Sequence, residues 1–181
     1  MAFIVPYKDK TPKIAQDVFV APTAAIVGDV EIGEGSSVWF GVSIRGDFMP
    51  IRIGKLTNIQ DNSTIHTTAH HHLVIGDEVI IGHNRIIHAT EIGSHVFVGM
   101  GSIILGHVRI GDNVIIGPGS LIPEGRRIPH DSLVFGEPAR LIRSLRDDEI
   151  EALHASSLNY HEFSKTYQEI FEKYKDQAEL L

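Results

Sequence analysis

Ile or Val recurs at positions 14, 20, 26, 32, 38 and 44, and after slips the same six-residue beat runs through most of the middle of the chain. A period that short does not build a conventional domain. The units include Ile32-Gly-Glu-Gly-Ser-Ser, Ile92-Gly-Ser-His-Val-Phe, Ile110-Gly-Asp-Asn-Val-Ile and Ile116-Gly-Pro-Gly-Ser-Leu, each with an aliphatic first residue and usually a small second one. Each reads as one short strand plus a corner. Three units make a coil of 18 residues. The pattern therefore predicts an all-β solenoid, a triangular parallel β-helix with first-position aliphatics stacked inside and Gly-Asp or Gly-Glu pairs at many turns.

The slips fix which residues stack. First positions continue from 44 to 53, 59 and 65, then 75, 81 and 87, then 92 through 98, 104, 110, 116, 122 and 128 to 134. The two long slips predict loops around Asp47 to Arg52 and around Thr68 to Val74, and the short step from 87 to 92 predicts a tightened corner. Units 44, 65 and 87 then share one face, and units 38, 59 and 81 share the face before it. Because side chains alternate along a strand, an interior first position turns the second outward. Arg45, His66 and His88 are all second positions, so they form an outward ladder with a rise of about 4.8 Å per coil. His83 stacks over Asp61 on the preceding face, across a corner from that ladder.

From Asp147 the period changes. Ile150, Leu153, Ser157, Tyr160, Ser164, Tyr167, Phe171 and Tyr174 follow a three-four spacing behind an acidic start, which predicts an amphipathic helix lying along the prism or at a subunit contact. The expected organisation is one domain, with the β-helix over 1–142 and the terminal helix over 143–181.

Composition narrows the function classes. The chain has no cysteine, which excludes a disulfide framework and thiolate metal sites. Its N-terminus lacks the basic-then-apolar order of a signal peptide and no run approaches a membrane span, so a cytoplasmic location without membrane association is expected. A net charge of −7 with scattered basic residues argues against nucleic acid. The anomaly is 11 histidines. Histidine is the commonest metal ligand and titrates near neutral pH.

If the prism packs as a trimer, one face against the preceding face of its neighbour, His83 of one subunit approaches the His66 and His88 pair of the next. Tetrahedral zinc held at about 2.0–2.1 Å by three imidazoles leaves a fourth position for water. Bound water then has a pKa near ~7, so a nucleophile exists at neutral pH. By spacing alone, the same histidines are equally well read as ordinary surface or interface residues.

The run Ile44-Arg-Gly-Asp47, Thr57-Asn-Ile-Gln-Asp61, Ile65-His66, Gly82-His83-Asn-Arg-Ile-Ile-His88 and Val98-Gly-Met-Gly101 resembles the gamma-class carbonic anhydrases, in order, spacing and frame. The resemblance continues through Ile128-Pro-His-Asp-Ser-Leu-Val-Phe-Gly-Glu-Pro-Ala139 and the terminal helix. It implies a left-handed β-helix and a homotrimer that hydrates carbon dioxide reversibly to bicarbonate with a metal-bound hydroxide between subunits. The implied ligands are His66 and His88 of one subunit and His83 of its neighbour, with Zn2+ the usual metal and Fe2+ or Co2+ able to serve. Gln60 resembles the glutamine that orients the hydroxide. Arg45 and Asp61 resemble a pair that crosses the interface, equally explicable by assembly, with Asp47 and Asn58 in support. Asn159 and Tyr160 resemble helix residues that reach the pocket, although a Tyr at apolar spacing also fits simple packing.

Two departures from the family bear on turnover. Asp47 is followed by Phe48-Met-Pro where family members carry a glutamate, and the loop Thr67-Thr-Ala-His-His-His-Leu73 has no carboxylate to export protons. His70, His71 or His72 is the substitute shuttle that the sequence offers. His95, His107, His130, His154 and His161 fall off the column and read as surface residues. Two other classes of function fit the frame. One is a non-catalytic, metal-stabilised trimeric scaffold, and the other is a hexapeptide-repeat acyltransferase using coenzyme A, for which both loops are short.

Overall fold

A computed structural model describes residues 2–174; residues 1 and 175–181 of the expected domain lie outside the described residues. The aliphatic beat winds into a left-handed parallel β-helix of about seven coils. One face stacks Phe19–Val20, Ser37–Val38, Asn58–Ile59, Ile80–Ile81, Val96–Val98, Val114–Ile116 and Ser132–Gly136. The next stacks the first half of Ala25–Ile32 and of Ser43–Ile53, then Thr64–His66, Ile86–Ile87, Ile103–Ile104 and Leu121–Ile122. The third stacks Lys13–Ile14, the second halves of the two long strands, Leu73–Ile75, Glu91–Ile92, Arg109–Ile110 and Arg127–Ile128. Ile44, Ile65 and Ile87 are in register, as are Val38, Ile59 and Ile81. First-position side chains from Ile26 to Val134 form one buried column.

The first long slip is not a loop. Ser43–Ile53 runs as one strand of 11 residues and pairs with Ala25–Ile32 through a register shift between Gly28 and Val30. A bulge absorbs extra residues while both faces stay hydrogen-bonded, so the chain never leaves the sheet. The second slip does interrupt the strands, between His66 and Leu73.

The corners are held by hydroxyls and by small residues. Ser36 Oγ donates to Gly54 O at 2.8 Å, Thr57 Oγ1 to Gly76 O at 2.9 Å and Ser63 Oγ to Gly82 O at 3.0 Å, each one coil on. A column of left-handed corner residues runs Gly35, Leu56, Glu78, His95, Asn113 and Asp131, with φ between 51° and 68°. The amide of a member bonds the carbonyl just before the member one coil back, as in Glu78 N to Lys55 O at 2.8 Å and His95 N to Asp77 O at 3.0 Å.

After Ser132–Gly136 the chain reverses, and Ala139–Ser144 pairs antiparallel with that last rung. The helix Asp147–Tyr174 follows. At its start Glu149 accepts from Arg143 Nη1 and Nη2, both at 2.7 Å, and from Arg146 N at 2.9 Å, which holds its carboxyl down to about 2. Leu153, Ser157 and Ser164 are buried along the helix, and Tyr160, Tyr167 and Phe171 pack on Phe19, Ala21 and Trp39 of the first face. Among the described residues no helix is long and apolar enough to cross a membrane.

Candidate functional site

The site grows out of two registers. Ile65 and Ile87 are buried partners on successive rungs, so the residues after them, His66 and His88, turn outward one above the other. Their ring centroids lie 5.5 Å apart, and the backbone of Arg45 pairs with His66 on the rung before. Asp47 gathers the ladder. Its Oδ1 lies 2.8 Å from His66 Nε2, and its other oxygen pairs with Arg45 Nη1. Burial pushes the Asp47 carboxyl up, but the His66 hydrogen bond and the Arg45 charge outweigh it and leave the group below its usual value. An ionised Asp47 can only accept, so this contact favours the proton of His66 on Nε2 and turns its other ring nitrogen to the role of ligand. Burial, reinforced by repulsion from His66, holds His88 below the usual imidazole value, so it is neutral at neutral pH.

Two adjacent imidazoles with a carboxylate behind one of them are a donor set that fits a borderline divalent cation. The third expected ligand stands elsewhere in the same chain. His83 sits at the end of the first face, with Nδ1 2.9 Å from Asp61 Oδ2, and its main-chain oxygen accepts from Arg85 Nη1 at 2.9 Å. Within one chain, among the described residues, His66, His83 and His88 do not form one ligand cluster.

The remaining expected residues divide. Gln60 is buried, and Asn58 is buried with Nδ2 donating to Ser37 Oγ at 2.7 Å while its Oδ1 has no hydrogen-bond partner. Both follow from the first-face register, which turns Asn58 and Gln60 away from the core side of Ile59. Tyr160 packs on the hydrophobic cluster of Phe19, Ala21 and Trp39. Arg45 and Asp61 do not pair with one another within the chain; their partners are Asp47 and His83.

The histidine loop has company that the sequence reading left out. The His71 ring meets His107 edge-on at 4.4 Å, with Thr68 Oγ1 3.5 Å from His71 Nδ1, and His107 Nε2 lies 3.4 Å from Glu124 Oε1. The carboxylate missing from the loop is thus supplied from a later coil. The corner stacking of consecutive coils, which ties Gly125 N to Gly106 O, was the available signal for it. Phe48 stands over His66 at 5.2 Å between centroids, in place of an acid.

Residues 89–124 match the family model for the bacterial transferase hexapeptide of six repeats. The chain is 43% identical over 164 residues to a Geobacillus kaustophilus protein named carbonic anhydrase, covering 91% of this chain and 90% of that one. It is 38% identical over 165 residues to gamma carbonic anhydrase 1, mitochondrial, of Arabidopsis thaliana, covering 88% of this chain but only 60% of the plant protein's length. Among solved structures, a Bacillus cereus protein described provisionally as an acetyltransferase superposes with a TM-score of 0.90 at 40% identity, covering 93% of this chain and 98% of the other.

Proposed function

The chain belongs to the gamma carbonic anhydrase family, and from that premise we propose that it hydrates carbon dioxide reversibly to bicarbonate at a metal centre shared between the subunits of a homotrimer. The observation that carries the proposal is the His66 and His88 pair on adjacent rungs, with Asp47 against His66. His66 and His88 of one subunit and His83 of the next would hold the cation, with zinc first and iron or cobalt able to replace it. When bound, such a cation acidifies a water molecule and so provides a nucleophile at neutral pH.

The chain's own residues supply position and proton transfer. Asp47 fixes the ring of His66. Gln60, rigid because it is buried, orients the nucleophile against carbon dioxide through its amide, with Asn58 as its neighbour and its free Oδ1 as a second acceptor. Asp61 orients His83 through Nδ1, and Arg45 and Asp61 meet across the subunit contact. Tyr160 lines the approach from the helix. Each hydration releases a proton, and His71 takes it, handing it through His107 to Glu124 and solvent.

The test is stopped-flow hydration by zinc-reloaded protein beside His88→Ala, Gln60→Ala and His71→Ala, with metal content measured on each. His88→Ala should abolish turnover and lose a zinc equivalent. Gln60→Ala should lower kcat about tenfold, some ~1.4 kcal/mol, with zinc retained. His71→Ala should lower kcat in dilute buffer and recover when imidazole is added. Wild-type protein with full zinc and no turnover would leave a metal-held scaffold. The acetyltransferase description of the Bacillus cereus neighbour supports one further assay, acetyl transfer from acetyl coenzyme A, for which no turnover is expected.

A further inference from the structure

We propose a second metal site, formed by Glu78, His95 and His154 of a single chain, that takes a divalent transition cation such as zinc and fastens the terminal helix to a corner of the β-helix. Glu78 and His95 are consecutive members of the left-handed corner column, with φ of 56° and 55°, so one side chain stands above the other on neighbouring coils. His154 reaches them from the helix. One ligand atom from each lies within 4.8 Å of the others. Glu78 Oε2 is 3.8 Å from His95 Nε2, and the same oxygen is hydrogen-bonded to His154 Nδ1. The two rings are 6.2 Å apart and nearly perpendicular, so they approach the carboxylate from different directions.

Bond lengths of about 2.0–2.2 Å to His nitrogen and carboxylate oxygen require donor separations of roughly 3.3–3.5 Å. That separation is within reach of small rotations of His95 and His154, whose side chains are 39% and 57% exposed. The backbone beneath is held by the protein's own contacts, since Ser157 Oγ donates to Glu78 O at 3.2 Å and Leu153 is buried on the same helix. Two imidazoles and one carboxylate form a zinc-type donor set that leaves room for water. A depression lined by Ser94, Asn113, Ile150 and Glu151 opens next to His95 and His154 and gives that water a place. The ligands all come from one chain, so the site needs no neighbouring subunit, unlike the proposed catalytic centre.

The experiment counts zinc. Full-length protein stripped with dipicolinate is reloaded with zinc, desalted and analysed for zinc per chain by mass spectrometry, beside His154→Ala, His95→Ala, Glu78→Gln and His88→Ala. Far-UV circular dichroism checks that each variant is folded. Two equivalents are expected for the wild type and one for every variant, with carbon dioxide hydration unchanged in His154→Ala. Wild-type zinc content in His154→Ala, His95→Ala and Glu78→Gln overturns the site. Should the catalytic centre alone be misread, the wild type holds one equivalent that His88→Ala keeps and His154→Ala loses.

Discussion

Arg85 is among the largest side chains withdrawn from water, with 1% of its surface exposed, and among the described residues it makes no ion pair. Its guanidinium instead donates to main-chain oxygens, from Nε to Val98 O at 3.1 Å, from Nη2 to the same oxygen, and from Nη1 to His83 O. Burial drives its pKa down to about 10, still high enough to keep the cation at neutral pH. A charged donor that replaces water at buried carbonyls is worth more than a neutral one, and removing it orphans its acceptors as well as opening a cavity. Arg85→Ala should therefore cost about 3 kcal/mol in urea unfolding and loosen the corner that carries His83. The pairing of His66 with His88 was legible in the sequence, because the aliphatic frame fixes which residue of each rung faces out. The meeting of His95 with His154 was not, because it depends on where a helix lies along the prism, and no period within the coils specifies that.

At the scale of the strand and its corner, the small second position of the repeat has a steric cause. Gly33, Gly54, Gly76, Gly93 and Gly111 stack at one corner, and a Cβ built on each of the first four would come within 2.9 Å of the backbone of the next. On Gly54 it would stand 2.6 Å from the carbonyl of Gly76, backbone that cannot step aside. Gly54→Ala should lower stability by about 2–4 kcal/mol, read from urea melts. Gly119→Ala meets nothing within 4 Å but adopts φ +66°, so it should lose only about 1 kcal/mol from backbone strain. The difference between the two variants measures coil-to-coil contact separately from turn strain. The run from Asp47 to Arg52 misleads because a bulged strand and a loop break the six-residue count in the same way, and only the hydrogen-bonded partner strand tells them apart.

At the scale of the whole molecule, the proposed reaction depends on assembly. Ile86 lies on the His66 and His88 face with 48% of its surface exposed, and Phe48 stands exposed beside His66. Exposed apolar side chains around the histidine ladder suit the proposed subunit contact. Three chains of 20.0 kDa give about 60 kDa, the mass light scattering should report. Ile86→Glu should shift that mass toward the single chain and lose the zinc held by the histidine ladder, while the zinc held by Glu78, His95 and His154 stays.

The returning strand Ala139–Ser144 runs against the direction of every coil before it. A parallel stack whose last rung lay open would offer a template on which the first coil of another molecule could dock and continue the column. The reversed strand presents the wrong polarity to such a newcomer, and the helix then leads the chain away along the side. End-to-end growth is thereby discouraged along the face that this strand caps, while the other two faces end on Leu121–Ile122 and Arg127–Ile128.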